Sequence, residues 1–178
     1  MSAVEKLFVN VDGGSRGNPG KAAIGVSLAD EKGNVIEESS KTIGRATNNI
    51  AEYRSLIEGC RKALEYAPKQ VVFFTDSQLI ANQINGTYET REPHLQKLRN
   101  TAMDLLDQFE SWKVSKVERR ANRSAHKLAE QALRKESAAG ESENERDKDL
   151  ELAIERLKKL DRDQLKRALA FLAGMTEG

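Results

Sequence analysis

The sequence predicts an α/β (α+β) fold built around one sheet, followed by a C-terminal helical appendage. Three observations favour this class. Strand-like segments precede the first helix, strand and helix patterns then alternate, and the composition changes after Lys135. With 178 residues the chain has the length of one domain and a small extension, since domains commonly contain about 100–200 residues.

The predicted elements follow the period of the apolar residues. Strands are predicted at residues 7–11, 22–29, 35–43, 71–75 and 112–118, and helices at 49–67, 77–84, 92–109 and 124–134. The first strand is expected to end at the turn Asp12-Gly13-Gly14. The run VVFFT at 71–75 is typical of a strand buried on both faces. These elements make residues 1–135 one predicted domain.

The remaining residues predict a linker and a helical hairpin. Residues 136–148 contain no large apolar residue and predict a flexible acidic linker. Residues 149–178 form a predicted hairpin, in which Leu150, Ile154 and Leu157 share one helix face and Asp161 or Asp163 caps the second helix. So small a pair of helices needs a surface to pack on. It could pack on its own domain, self-associate or bind a protein partner.

Composition excludes some classes of protein. No apolar run approaches the roughly 18–20 residues that span a bilayer, and the N-terminus lacks the pattern of a signal peptide, so we expect no membrane association. A single cysteine, Cys60, suits a cytoplasmic location. The net charge of +1 divides unevenly: residues 136–178 carry 8 Lys/Arg and 11 Asp/Glu, a net of −3, which leaves +4 on residues 1–135.

Three acidic residues lie where acids are candidates for metal binding. Asp12 follows the first strand, Asp76 follows the VVFFT strand, and Glu52 lies near the start of the first helix. Brought together, three carboxylates would repel one another unless they bound hard divalent cations such as Mg²⁺. Each acid also has an ordinary structural explanation as a cap, turn or first-turn residue. Spacing alone leaves both interpretations open.

The neighbouring motifs favour the metal site. They are DGGSRGNPG from Asp12, TNNIAEY from Thr47 and TDSQ from Thr75. In this order they closely resemble the type 1 ribonuclease H family, including its reverse-transcriptase-like members, over roughly residues 5–135. No basic insertion precedes the predicted helix at 92–109, so the chain is similar to the compact archaeal-type form.

The resemblance implies a five-stranded mixed sheet flanked by helices. It implies an endoribonuclease that uses two Mg²⁺ or Mn²⁺ ions to cleave the RNA strand of RNA–DNA hybrids, leaving 5′-phosphate and 3′-hydroxyl ends. Double-stranded RNA is a possible further substrate. Asp12, Glu52 and Asp76 match the first three metal-binding acids of the family. The residues that match its substrate contacts are Gly13, Ser15, Asn18, Thr47, Asn48, Asn49 and Gln78.

The fourth acid position departs from the family pattern. His126 stands where the family has an aspartate, in the phrase NRSAHKLA that begins at Asn122. An imidazole can ligate a divalent ion, and it suits Mn²⁺ better than Mg²⁺. His126 is therefore expected to be a catalytic and metal-binding residue with reduced effect. The alternative is a catalytically weakened module that binds hybrids or double-stranded RNA.

Six basic residues between positions 113 and 127 are candidates for contacts with the phosphates of a nucleic acid. They are Lys113, Lys116, Arg119, Arg120, Arg123 and Lys127. Along one groove they would neutralise phosphates and make binding dependent on salt. An ordinary solvated surface is an equally good interpretation of the same residues.

Overall fold

The computed structural model describes the backbone of residues 4–175, and the side chains in that range except those of 140–145 and 171–175. Contacts divide the chain into two units, the first ending at Glu136 and the second beginning at Ser137. That each unit is an independent domain stays a prediction.

Five strands form one mixed sheet in the order β3-β2-β1-β4-β5. Their bounds are β1 Lys6–Gly17, β2 Gly20–Ala29, β3 Val35–Ala46, β4 Gln70–Thr75 and β5 Ser111–Lys116. β1 pairs antiparallel with β2 and parallel with β4, while β2 pairs antiparallel with β3 and β4 pairs parallel with β5. The predicted α/β fold around one sheet is confirmed.

The first strand extends beyond the end predicted for it. Its parallel pairing with β4 stops at Asn10, whereas its antiparallel pairing with β2 continues to Gly17. Asp12 therefore lies inside β1, opposite Gly25, and the prediction of a turn at Asp12-Gly13-Gly14 is wrong. β2 supplies backbone partners throughout this stretch. The chain reverses only after Gly17, whose φ of 96° favours glycine.

The first three helices begin at a side-chain cap or at a proline, and the fourth follows a 3₁₀ turn. They are α1 Asn48–Leu64, α2 Gln78–Ile84, α3 Pro93–Leu106 and the first part of α4, which runs from Arg123 to Lys158 after a 3₁₀ turn at Arg119–Asn122. The Thr47 side chain accepts a hydrogen bond from the Ile50 amide, and Ser77 accepts one from Ile80. These caps fix the starts of α1 and α2, beside Glu52 and Asp76.

Two glycines allow helices to approach the sheet closely. A Cβ added to Gly13 would lie 2.2 Å from the carbonyl carbon of Ala51 in α1, and one added to Gly25 would lie 2.1 Å from the carbonyl oxygen of Ala125 in α4. Gly25 pairs with Asp12, the neighbour of Gly13 in β1. Since paired residues share a face and successive residues alternate, α1 and α4 cover opposite faces of the sheet.

The helix α4 continues through residues 136–148, where the sequence analysis predicted a flexible linker. The predicted lack of regular structure is wrong there. This stretch is rich in glutamate, alanine, lysine and arginine, which have high helix propensity. The helix is already formed at the packed residues Ala132 and Leu133. Extending it requires no new nucleation step, so it can continue through Gly140.

The second unit contains the end of α4 and the helix α5, Arg162–Met175. Asp161 caps α5, because its Oδ1 accepts hydrogen bonds from the amides of Asp163 and Gln164, while Gln164 Oε1 accepts one from the Asp161 amide. This reciprocal pattern is a capping box. Of the two caps considered in the sequence analysis, Asp161 is the one formed. Within the described residues, no helix is both long and apolar enough to cross a membrane.

Candidate metal centre

Three acidic side chains meet at one end of the sheet. Asp12 comes from β1, Glu52 from the second turn of α1, and Asp76 from the residue after β4. One oxygen from each lies within 4.8 Å of the others. The sequence placed these acids on three separate elements, and the structure brings all three together.

Burial makes this acidic group costly without a cation. Asp12 is 5% exposed and Glu52 is 7% exposed. Loss of water, with the charges of Asp12 and Asp76 close by, raises the pKa of Glu52 to about 9. Burial also raises the pKa of Asp12, and a hydrogen bond from His126 partly opposes that shift.

The donor set fits a divalent cation. The Oε2 atom of Glu52 is buried and has no hydrogen-bond partner. Buried polar atoms nearly always have a hydrogen-bond partner. The Glu52 oxygen lacks one and lies close to two further carboxylates, so a bound cation would give it a favourable partner. Carboxylate oxygens are the ligands that hard ions such as Mg²⁺ prefer. These residues can therefore hold a divalent metal.

His126 lies against one of the acids. Its Nδ1 atom is 2.8 Å from Asp12 Oδ2, and the guanidinium of Arg119 is 3.1 Å from Nε2. In a neutral ring, Nδ1 can donate to Asp12, which leaves the lone pair on Nε2. Nη2 of Arg119 lies 3.1 Å from Nε2 and 3.3 Å from Nδ1, so its positive charge opposes the binding of a cation by this ring. Ligation by His126 would require Arg119 to move.

Two asparagines, to which the sequence analysis gave no role, connect the elements that carry the acids. Asn122 is fully buried, and its Nδ2 donates to the carbonyl of Val11 at 2.8 Å and to Asp76 Oδ1 at 3.4 Å. Its Oδ1 accepts from Asn10 Nδ2 at 3.0 Å. The only sequence signal was Asn122 at the start of the motif that contains His126.

The acids open into a cleft of about 180 Å³ that contains several of the predicted substrate residues. Its lining residues are Asp12, Gly13, Gly14, Ser15, Arg16, Asn48, Glu52, Asp76, Arg119, His126, Glu130 and Leu133. Gly13, Ser15 and Asn48 are thus beside the acids. Arg16 was not predicted as a site residue, and Arg119 was predicted only as one of the six cations.

The other predicted substrate residues lie outside this cleft lining. Asn18 Oδ1 accepts a hydrogen bond from the Asn48 amide at 3.1 Å, which ties the β1–β2 turn to the start of α1. The Thr47 side chain caps the start of α1, and Asn49 lies in the first turn of that helix. Gln78 is exposed at the first position of α2. Thr47 and Asn18 therefore have structural roles as well as predicted ones.

The six basic residues predicted to contact nucleic acid are all exposed, but they are distributed over different elements of the fold. Lys113 and Lys116 lie on the edge strand β5, whereas Arg123 and Lys127 begin α4. Arg119 is the member of the set that lines the acidic cleft.

The strand order, the helices on both faces and the three clustered carboxylates define a ribonuclease H-like protein. The model of a family described as reverse transcriptase-like matches residues 10–132. The chain belongs to this family. The match ends before the second unit begins.

Named relatives agree with this class. A ribonuclease HI of Halobacterium salinarum is 42% identical over 128 residues, which are 72% of this chain and 64% of that protein. The crystal structure of ribonuclease H1 from that organism superposes with a TM-score of 0.72 at 39% identity, covering 73% of this chain and 98% of the other.

Two further relatives are informative. A bifunctional protein of Mycobacterium tuberculosis is 40% identical over 129 residues, which are 72% of this chain but 35% of that protein. A ribonuclease H1 isolated from compost has been solved in complex with an RNA/DNA hybrid. That structure has a TM-score of 0.69 at 35% identity, and the match covers 72% of this chain and 97% of the other. The chain thus spans less than two thirds of the length of the two full-length relatives described.

Proposed function

We propose that this protein is a metal-dependent endoribonuclease that hydrolyses the RNA strand of RNA–DNA hybrids, leaving 5′-phosphate and 3′-hydroxyl ends. The observation that carries the proposal is the buried group formed by Asp12, Glu52 and Asp76, with an unpartnered oxygen on Glu52. This arrangement is unfavourable as a purely structural feature and suitable as a metal site.

The choice of substrate is supported by the relatives and by the cleft. A relative of 35% identity was solved with an RNA/DNA hybrid. Here Ser15 and Asn48 lie beside the acids, and Gln78 is exposed two residues after Asp76. Amides and hydroxyls both donate and accept hydrogen bonds, which suits base edges and the 2′-hydroxyl of RNA. We propose that Gly13, Asn18, Thr47 and Asn49 complete this contact surface. Activity on double-stranded RNA is a secondary proposal.

Two Mg²⁺ or Mn²⁺ ions are the proposed cofactors. Asp12, Glu52 and Asp76 would hold them, with His126 as a weaker fourth ligand. When bound, such ions supply an activated water and neutralise charge on the scissile phosphate. The protein's own contribution is to hold three carboxylates together, and Arg119 adds a positive charge at the cleft wall.

The second candidate function is a binding module that retains hybrids without cutting them. The contact of Arg119 with both ring nitrogens of His126 favours this alternative, since it competes with metal binding at the fourth position. A cytoplasmic location is also proposed, and it rests on the sequence alone.

The test is cleavage of an RNA–DNA hybrid labelled on the RNA, in Mg²⁺ and separately in Mn²⁺. We expect cleavage by the parent protein, faster in Mn²⁺. Asp76→Asn should reduce the rate by about 100-fold or more, because it removes a charged ligand. His126→Asp should raise the Mg²⁺-supported rate by roughly tenfold.

The matched control is Asp104→Asn, which neutralises an exposed acid on α3 and should cleave like the parent. Cleavage that persists in Asp76→Asn would refute the assignment of the site. Tight hybrid binding without cleavage in either metal would instead establish the binding module. A parallel reaction with double-stranded RNA decides the secondary proposal.

A further inference from the structure

The sheet face that carries α4 is covered only in part. Helix α4 packs against it at Gly25 of β2. Phe8 of β1 and Val72 and Phe74 of β4 lie on the same face as Gly25, as the pairing of the strands and the alternation of side chains require. All three are half-buried, whereas Phe73, on the opposite face, is fully buried. We call Phe8, Val72 and Phe74 the sheet patch.

The two aromatic rings of the sheet patch are stacked and partly open to solvent. The rings of Phe8 and Phe74 have centroids 5.9 Å apart and an interplanar angle of 20°. The Nζ atom of Lys6 lies 5.2 Å from the centre of the Phe8 ring, so a positive charge is held beside the pair. Aromatic rings on the surface of a sheet can stack against the bases of a nucleic acid, because every base has a flat aromatic face.

A second lysine borders the sheet patch on the side of β5. Lys113 of this edge strand pairs with Val72 and is exposed. Among the residues whose side chains the structure describes, neither Lys6 nor Lys113 has an ion-pair partner. Two positive charges without a described acidic partner therefore flank the rings.

Two further basic residues face this side of the sheet from α4. Arg123 and Lys127 line a cleft of about 410 Å³ together with Glu38 of β3. A row of four paired residues crosses the sheet from this cleft to the patch, and it consists of Glu38, Ser27, Asn10 and Phe74. Neither Arg123 nor Lys127 lines the acidic cleft, so the metal centre does not account for their position.

We propose that the sheet patch binds single-stranded nucleic acid, with unpaired bases stacked against the two rings and phosphates neutralised by the four basic residues. A duplex is a poor occupant, because its bases already stack on one another and present only their edges. Four basic residues and one acid border the site, which favours a polyanion over an apolar protein surface. The patch contains no residue of the metal centre, so this binding is independent of the proposed cleavage.

The test is the binding of a fluorescein-labelled single-stranded DNA of about 12 deoxythymidines to the full-length protein, measured by fluorescence anisotropy in a chelating buffer. We expect saturable binding that weakens as salt increases. Phe74→Leu keeps an apolar side chain in the strand but removes the ring, so it should weaken binding by roughly tenfold. Lys113→Ala should also weaken binding and should lower the slope of log K against log salt by about 0.7, the value for one phosphate contact of a single strand.

Two matched variants make the same chemical changes away from the patch. Tyr88→Leu removes a ring that is 47% exposed in the loop after α2. Lys97→Ala removes an exposed lysine on α3, a helix that packs on the Phe73 side of the sheet. Both variants should bind the oligonucleotide like the parent protein.

The possible outcomes separate this site from the acidic cleft. Absence of binding at low salt overturns the proposal. Binding that Ser15→Ala and Asn48→Ala weaken, but that Phe74→Leu and Lys113→Ala leave unchanged, also overturns it, because the strand would then lie in the acidic cleft. If Phe74→Leu loses helix content by circular dichroism, Lys113→Ala decides by itself. Oligouridine tested in parallel distinguishes an RNA strand from a DNA strand, and a patch-dependent affinity for either supports the proposal.

Discussion

Glu52 shows how a single residue links the stability of the fold to its chemistry. The carboxyl is 7% exposed, faces two other acids and has an oxygen without a hydrogen bond. Its pKa in the folded chain is about 9, against 4.5 for the free side chain. Folding without metal therefore forces the site to keep a proton that the unfolded chain would release.

The direction of the pH dependence follows from this difference. Below about pH 4.5 the carboxyl is protonated in both the folded and the unfolded state, so its ionisation does not affect the free energy of unfolding. Between pH 4.5 and 9 the folded state binds more protons than the unfolded state, so the stability contributed by Glu52 falls as pH rises. Above pH 9 the full penalty is present.

Glu52→Gln should consequently stabilise the metal-free protein. We expect little difference from the parent near pH 4.5 and a gain of about 2–3 kcal/mol at pH 7, because the amide does not have to take up a proton when the chain folds. Guanidinium unfolding in the presence of a chelator, at pH 5, 7 and 8.5, measures the gain. A gain of the same size at every pH, or a loss, would contradict the assigned pKa.

The identities of the clustered acids were predictable from the sequence, but their surroundings were not. Motif order selected Asp12, Glu52 and Asp76 because they occur in a familiar pattern. The contact of His126 with Asp12 and the hydrogen bonds of Asn122 to Val11 and Asp76 join elements that are more than 40 residues apart in the sequence. No local pattern in a single sequence encodes such distances.

At the scale of elements, β1 carries two adjacent glycines with very different surroundings. A Cβ on Gly13 would overlap the backbone of Ala51 in α1, whereas a Cβ on Gly14 would meet nothing within 4 Å. Strand and helix are therefore in backbone contact at one position, and the neighbouring position has space. The spacing between Asp12 and Glu52 depends on this contact, since each is adjacent to one of the touching residues.

Gly13→Ala should destabilise the protein by about 3 kcal/mol, because neither backbone can yield without moving α1. Gly14→Ala is the matched variant and should change stability by less than about 1 kcal/mol. Chemical denaturation of the two variants makes the comparison. Equal stabilities would show that α1 does not pack against Gly13 as described.

The same strand explains why sequence analysis misjudged an element. Asp12-Gly13-Gly14 has the composition of a turn, and turn propensity was the only local information available. Pairing with β2 and packing against α1 hold these residues extended. Helix α4 gave the opposite error, because residues 136–148 lack an apolar face and yet have high helix propensity.

At the scale of the whole molecule, every buried side chain that the structure describes belongs to the first unit. The apolar core runs from Leu7 to Val114, and a smaller cluster adds Ala132 and Leu133 from α4. No described side chain between residues 146 and 170 is buried. Most of the stability of the fold should therefore come from residues before 137.

A chain ending at Glu136 should keep the melting temperature of the full-length protein within about 3 °C, because it retains every buried apolar residue of the described structure. A chain ending at Asn122, which lacks the buried face of α4, is the control and should not fold. Calorimetry measures the melting temperature, and a large loss of stability in the 136-residue chain would show that the second unit supports the first.

The separation of β1 from β4 after Asn10 has a consequence for hydrogen exchange. Residues 8–10 of β1 lie between two partner strands, whereas residues 12–17 pair with β2 alone. Where β1 and β4 separate, the side chain of Asn122 donates a hydrogen bond to the carbonyl of Val11. We expect amide protons before this point to exchange only when the whole sheet opens, and those after it to exchange through smaller local openings. Asp12 thus lies at the border of the rigid sheet, where a carboxylate can adjust its position while the strand behind it stays fixed.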